Sequence, residues 1–142
     1  LIKMIDFNYE LEFTLDDEAV YASWLTKVIE SENKKLGEIN YIFCDDEYLL
    51  AINVEYLNHD TLTDIISFDY SLGDELNGDI FISIERVRDN ANDFNVSFNE
   101  ELKRVMVHGV LHYCGYKDKS ESDELLMRQK EDEKIQLFHV EQ

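Results

Sequence analysis

Proline is absent from the 142 residues, and glycine occurs only five times. No Pro- or Gly-rich stretch therefore marks a linker, and one domain spanning 1–142 around one core is expected. Cysteine is equally scarce. Cys44 and Cys114 are not arranged as CxxC, and each sits in an apolar neighbourhood. That excludes a disulfide scaffold. Buried free thiols in a reducing cytoplasm are the expected state, with a ligand or redox role as the lesser alternative. No apolar run approaches the roughly 20 residues that a membrane span needs, so no membrane partner is expected. The opening LIKMIDFNYE offers neither a basic n-region nor a long apolar h-region, and no signal peptide is read there. Positive charge is short as well: 13 Lys and Arg stand against 32 Asp and Glu, a net charge of −19. So acidic a chain repels polyanions at long range, which counts against a role in coating nucleic acid. Local action on RNA stays open through a small basic patch, with Arg86, Arg88, Lys103 and Arg104 as candidates. Scattered solvated bases are the alternative reading.

What is present suits a soluble globular chain: 44% hydrophobic and 32% charged residues, without repeats or low-complexity tracts. The acidic clusters at 16–18, 45–47 and 131–133 are short and mixed with apolar residues. They read as helix starts and solvated faces. Residues 2–9 suggest a first strand, and 16–35 a helix with Val20, Trp24, Leu25 and Val28 at helical spacing. A strongly apolar strand is expected over 39–46, then a helix over 46–58 with Asp45 near its start. Two short β-branched and aromatic runs follow, 64–70 and 79–84, with SLGDELNG (71–78) reading as the loop between them. Residues 85–94 are expected to be helical. Ser97 and Glu100 form an S-x-x-E capping pattern before a helix through 100–114, for which Gly115 suits a left-handed stop. Ser120 caps a last helix with an apolar stripe of Leu125, Leu126, Ile135 and Phe138; His139 near its end reads as a surface residue. Several strands and about five helices without a regular βαβαβ period imply an α+β layered domain.

The stretch HGVLHYCGYKD at 108–118 carries the chemistry. His108 and His112 are four residues apart, so on a helix both imidazoles lie on one face, one turn apart. They can then reach one ion, although a bare HxxxH is weak evidence. A catalytic zinc site needs a third protein ligand and an open position. Asp118 lies ten residues beyond His108, roughly 15 Å along a straight helix. A chain reversal at Gly115 makes it a feasible ligand; the alternative is that it starts or caps the last helix beside Ser120. Zinc peptidases carry HExxH, with the Glu as general base. Gly109 holds that position here, so a peptidase of that type is disfavoured.

The chain resembles the YbeY family of bacterial rRNA maturation factors, whose signature is HGxLHxxGYDH. HGVLHYCGYKD matches it through Tyr116. A second family block, LNxxYRxxDxPTDVLSF, resembles residues 52–68 at Asn53, Tyr56, Asp60, Thr63, Asp64, Ser67 and Phe68. A third, LGDI, corresponds to NGDI at Asn77–Ile80. The three blocks fall in family order and cover nearly the whole chain. The resemblance implies a zincin-like fold: a small mixed β-sheet layered with helices, the metal-binding helix packed on the sheet. It implies a metal-dependent endoribonuclease in rRNA maturation and ribosome quality control, cytoplasmic, hydrolysing RNA phosphodiesters with a metal-activated water. Its partners would be rRNA or a ribosomal precursor, with basic ribosomal proteins as a further guess.

Carried over by position, the family's first two zinc histidines fall on His108 and His112, and its third falls on Asp118. The aspartate before that histidine falls on Lys117. A His₂-carboxylate set still binds one divalent ion, with zinc expected, although the harder anionic ligand shifts preference toward manganese or iron. Asp64, Ser67 and Asp79 would sit around the cleft, orienting water or substrate; capping turns and satisfying backbone groups is the competing reading. The family's phosphate-engaging arginine aligns with Leu57, which cannot make a bidentate phosphate contact. His59 lies nearby as a partial substitute or a solvated loop residue, and Leu62 replaces the motif proline. The departure at Leu57 keeps a second reading open: a non-catalytic ribosome-assembly factor with a structural metal.

Overall fold

The computed structural model describes residues 3–140, and the side chains of 139 and 140 lie outside that description, His139 among them. Nine elements follow in order: β1 (Met4–Tyr9), α1 (Glu18–Ser31), β2 (Lys35–Cys44), α2 (Asp46–Leu57), β3 (Ile65–Asp69), β4 (Glu75–Ser83), α3 (Ile84–Phe94), α4 (Phe98–Tyr113) and α5 (Glu121–Val140). The sheet order is β1-β2-β4-β3, with β1, β2 and β4 parallel and β3 antiparallel on the edge. This is the α+β layered architecture that the sequence implies.

Every helix start is marked by a short polar side chain that satisfies a free backbone N–H. Asp17 accepts from Val20, Asp45 from Tyr48, Ser83 from Arg86, Ser97 from Glu100 and Ser120 from Asp123. The scarcity of glycine has a structural counterpart. Asn33, Asn58 and Asn95 take the left-handed turn positions, with φ of 59°, 57° and 58°; asparagine is the residue that tolerates this region best after glycine.

Side-chain alternation splits the sheet into two faces. Ile39, Tyr41 and Phe43 of β2 and Ile80 and Ile82 of β4 join one core with Trp24, Leu25 and Ile29 of α1 and Met106 and Val110 of α4. The other face carries a smaller cluster of Cys44, Leu49 and Ile66 under α2. Helix α4 lies close on the first face. A Cβ at Gly109 would come within 3.0 Å of Ile80 Cδ1 and 3.2 Å of Ile65 Cδ1. Gly109 therefore points at the sheet, and the position that holds the base in HExxH proteins has no room here for a glutamate.

Four expectations need correction. β2 begins at Lys35, not near Ile39, because its first residues pair with Glu75 and Leu76 of β4. The connector 71–78 is mostly strand: β4 starts at Glu75, and only a tight turn with a Leu72–Glu75 bridge precedes it. Leu125 and Leu126 of α5 are exposed, and the buried face instead presents Met127, Glu131, Lys134 and Ile135. The acidic cluster at 131–133 is therefore not wholly a solvated face. This helix spends its inward positions on ion pairs as well as apolar contacts. Both cysteines are free; Cys44 is buried and Cys114 partly so. Burial pushes their thiols up to about 12 and about 11, with nearby carboxylates adding to the effect, so both stay protonated at neutral pH.

Candidate metal centre

Helix α4 ends in a Schellman motif. Gly115 N–H donates to His112 O at 3.0 Å and Tyr116 N–H to Leu111 O at 3.1 Å, with Gly115 at φ 107°. The reversal does two things. It lays the Tyr116 carbonyl 2.9 Å from His112 Nδ1, and it brings Asp118 back over the helix end. Asp118 Oδ2 lies 3.1 Å from His108 Nε2 and 3.2 Å from His112 Nε2. Tyr116 is itself anchored, donating from its hydroxyl to Glu32 at 2.7 Å, where Lys134 also pairs with Glu32 at 2.8 Å. The turn is thus pinned to the end of α1 and to α5.

Among the described residues, His108, His112 and Asp118 form the one group with metal-ligand geometry, their donor atoms all within 4.8 Å of one another. Tetrahedral ligands at zinc-binding distances lie about 3.4 Å apart. The Nε2–Oδ2 separations are close to that value, so the donor set fits a single divalent cation. Each outward nitrogen already has a partner: Tyr116 O for His112 and Glu131 Oε2, at 2.6 Å, for His108. Burial works against a charged imidazole at His108. The Glu131 hydrogen bond and charge, with Asp118 and Asp64 adding theirs, outweigh it and raise its pKa above the usual histidine value.

The three groups open on a cleft of about 440 Å³ between α4, α5, α3 and edge strand β3. Asp64 and Ser67 line it. Asp79 does not. It lies on the opposite face of the sheet, where its Oδ1 accepts from Asn40 at 3.1 Å; alternation along β4 sends Ile80, not Asp79, toward the metal helix. Leu57 and His59 border a separate groove that meets the cleft at Thr63, Ile65 and Ser67. The supposed basic patch is taken up piecemeal. Arg86 pairs with Asp46 and Asp89, Arg104 pairs with Glu131 and Asp132, Lys103 lies over the Phe138 ring, and Arg88 over Phe98.

Four polar cleft residues escaped sequence reading: Asn90, Glu101, Arg128 and Glu131. Each sits among many similar polar residues on a helix, and only the packing of α3 and α5 against α4 singles it out. Glu101 and Asp64 both have raised pKa values, chiefly from burial; at Asp64 the charge of His108 offsets part of it. A carboxyl whose folded pKa exceeds its ordinary value of 3.8 destabilises the fold once pH rises through the folded pKa. Asp64→Asn is therefore expected to raise the melting temperature at neutral pH, with the gain shrinking toward acid. Thermal melts at about pH 4 and about pH 7.5 check this, and a variant no more stable than wild type at the higher pH contradicts it.

A two-histidine helix on a mixed sheet, with a carboxylate returned to it by the following turn, defines a zincin-like α+β domain with a candidate metal centre. The chain belongs to the YbeY family: a family model described as "Endoribonuclease YbeY" matches residues 6–139. Proteins of that name from Flavobacterium psychrophilum and Flavobacterium johnsoniae are each 73% identical to it over 139 residues, 98% of this chain and 99% and 100% of theirs. The one from Christiangramia forsetii is 63% identical over 138 residues, 97% of this chain and 96% of its own. The solution structure of TM1509 from Thermotoga maritima shares the fold, with a TM-score of 0.71 over 97% of this chain and 91% of that one, at 24% identity.

Proposed function

We propose that this protein is a metal-dependent endoribonuclease that hydrolyses RNA phosphodiesters during rRNA maturation and ribosome quality control in the cytoplasm. Its family and the endoribonuclease name that its relatives carry support the reaction class. The observation that carries the metal is the convergence of both Nε2 atoms on Asp118 Oδ2. A divalent cation held there, with zinc as first choice, would supply Lewis acidity to a phosphodiester and acidify a water. The chain's own residues do the rest. His108, His112 and Asp118 would hold the ion, and all three line the cleft. Asp64 and Ser67 line the same cleft, within the block the family shares, and orient what enters.

Phosphate recognition passes to α5 in this reading. Arg128 lines the cleft and is exposed, and no ion pair ties it to a described carboxylate, whereas Arg104 is held by two. With Leu57 unable to bind phosphate, Arg128 is the guanidinium available to an incoming strand. Arg128→Ala is expected to raise KM for RNA by roughly tenfold, the loss of one charge-assisted contact, with kcat little changed and zinc affinity intact. Equal KM values in wild type and variant would remove Arg128 from this role.

The test of the reading is single-turnover cleavage of an rRNA fragment by the chelator-treated protein before and after zinc is restored. Cleavage that returns with the metal supports it; cleavage indifferent to metal, with His112→Ala as active as wild type, overturns it. Leu57 favours a second reading, a ribosome-assembly factor whose metal is structural. That reading wins if His108→Ala unfolds the protein while the intact chain, fully metallated, cleaves no RNA.

A further inference from the structure

Glu131 is 5% exposed, yet it carries a carboxylate into the core between α4 and α5. Burying a carboxylate is costly unless charged or hydrogen-bonding partners meet it. Both of its oxygens are met. Oε1 accepts from Arg104 Nη1 at 3.0 Å, and Oε2 lies 2.6 Å from His108 Nδ1. Arg104 and His108 are one turn apart on α4, so Glu131 enters from α5 and bridges neighbouring rungs of the metal helix.

We propose that Glu131 is the positioning residue of the metal centre, an inference that rests on the metal reading of His108, His112 and Asp118. A carboxylate at Nδ1 accepts its hydrogen and so leaves the Nε2 lone pair directed at the ion. The same contact fixes the ring plane and makes His108 the stronger donor of the two. His112 has only the uncharged Tyr116 carbonyl at its Nδ1. Arg104, itself tied to Asp132 at 2.7 Å, holds Glu131 aimed at His108 through its own 3.0 Å contact with Oε1. The site is therefore assembled by three segments: α4 supplies two ligands, the Gly115 turn returns the third, and α5 orients the first.

The competing explanation is that Glu131 only clamps α5 to α4 through Arg104. Zinc affinity of the full chain, measured with zinc alone against a chromophoric chelator, separates the two. Glu131→Gln keeps the length and removes the charge. It is expected to bind zinc roughly 10–100-fold more weakly, and Glu131→Asp to fall between it and wild type. A purely structural role lowers the melting temperature of the metal-free variant while its zinc affinity stays within about twofold of wild type, and that result overturns the proposal.

Should the glutamine variant fail to fold, the wild-type protein decides. In the zinc-loaded, ¹⁵N-histidine-labelled chain, His108 is expected to bind through Nε2 and to show a protected, far-downfield Nδ1 proton. Ligation through Nδ1, or an Nδ1 proton in free exchange with solvent, contradicts it. A wild type that binds zinc but cleaves no RNA defeats the endoribonuclease reading and leaves this one standing. A wild type that binds no zinc defeats both.

Discussion

Replacing His112 with alanine is expected to lower zinc affinity by roughly a hundredfold to a thousandfold, about 3–4 kcal/mol. That is one ligand's share of the about 10–16 kcal/mol that four ligands supply in structural zinc sites. His112 Nε2 and His108 Nε2 face the same Asp118 oxygen at 3.2 and 3.1 Å, so neither has a substitute within reach among the described residues. His108→Ala should lose at least as much, since it also strands the buried Glu131 carboxylate. His59→Ala is the control: His59 is exposed on the α2–β3 loop and borders a different groove, so affinity should not change. Asp118→Ala should fall with the histidine variants, and Asp118→His, which installs the residue found there in the family signature, should retain binding. Titration of each variant with zinc against a chelator reads all five. An Asp118→Ala variant that binds as wild type would reduce the site to two histidines.

The largest effect on stability is expected at Trp24. It is fully buried, its Nε1–H donates to the Lys134 carbonyl at 2.8 Å, and its ring meets Phe138 edge-on with centroids 5.2 Å apart. Trp24→Ala removes that ring from the seam between α1 and α5, at a cost of about 3–5 kcal/mol. For a chain of this size that corresponds to a fall of about 10–20 °C in melting temperature. Trp24→Phe, which keeps most of the ring but leaves the carbonyl without its donor, should lose about 1–3 kcal/mol. Lys134 lies one turn from Glu131, so the tryptophan also fixes the helix that orients His108. In any alanine variant that stays folded, zinc affinity should weaken alongside stability. Thermal melts and zinc titration together test this; a melting temperature within a few degrees of wild type would contradict the placement of Trp24 at the seam.

Much of this architecture was legible in sequence because it rests on local signals. Ser97 and Ser120 announce their helices through the hydrogen bonds they make, and the β-branched runs of β3 and β4 announce strands. The spacing of His108 and His112 needed only helical periodicity, and the return of Asp118 needed only that Gly115 stop the helix. What local pattern does not carry is which face of a long helix turns inward. Helix α5 hides Glu131 and Lys134 and exposes Leu125 and Leu126, because ion pairs to Arg104 and Glu32 offset the burial of its charges. Met127, Ile135 and Phe138 mark that face only in part, with the charged Glu131 and Lys134 between them. Asp79 misled for a related reason. Its motif block is shared with the family, but its place in the strand alternation sends it to the α2 side of the sheet. The start of β4 was hidden by Gly78. The residue reads as a loop signal, yet it sits inside a strand where a Cβ would collide with the Tyr113 hydroxyl and the Phe68 carbonyl.

Gly109 explains the absence that most narrows the chemistry. The missing HExxH glutamate is a packing requirement: the metal helix lies directly on Ile80 and Ile65, and the position faces the sheet. In the proposed reaction, proton transfers would fall instead to other groups of the cleft, among which Asp64 and Glu101 have raised pKa values. Carboxylates shifted in this direction stand nearer the range in which general acids and bases work.

The central claim is that His108, His112 and Asp118 hold one cation together. Anomalous diffraction from zinc-loaded crystals tests it most directly. The account predicts a single strong peak about 2.0–2.2 Å from His108 Nε2, His112 Nε2 and an Asp118 carboxylate oxygen. A peak held by the two histidines with Asp118 turned away, or no peak between them at all, would contradict it.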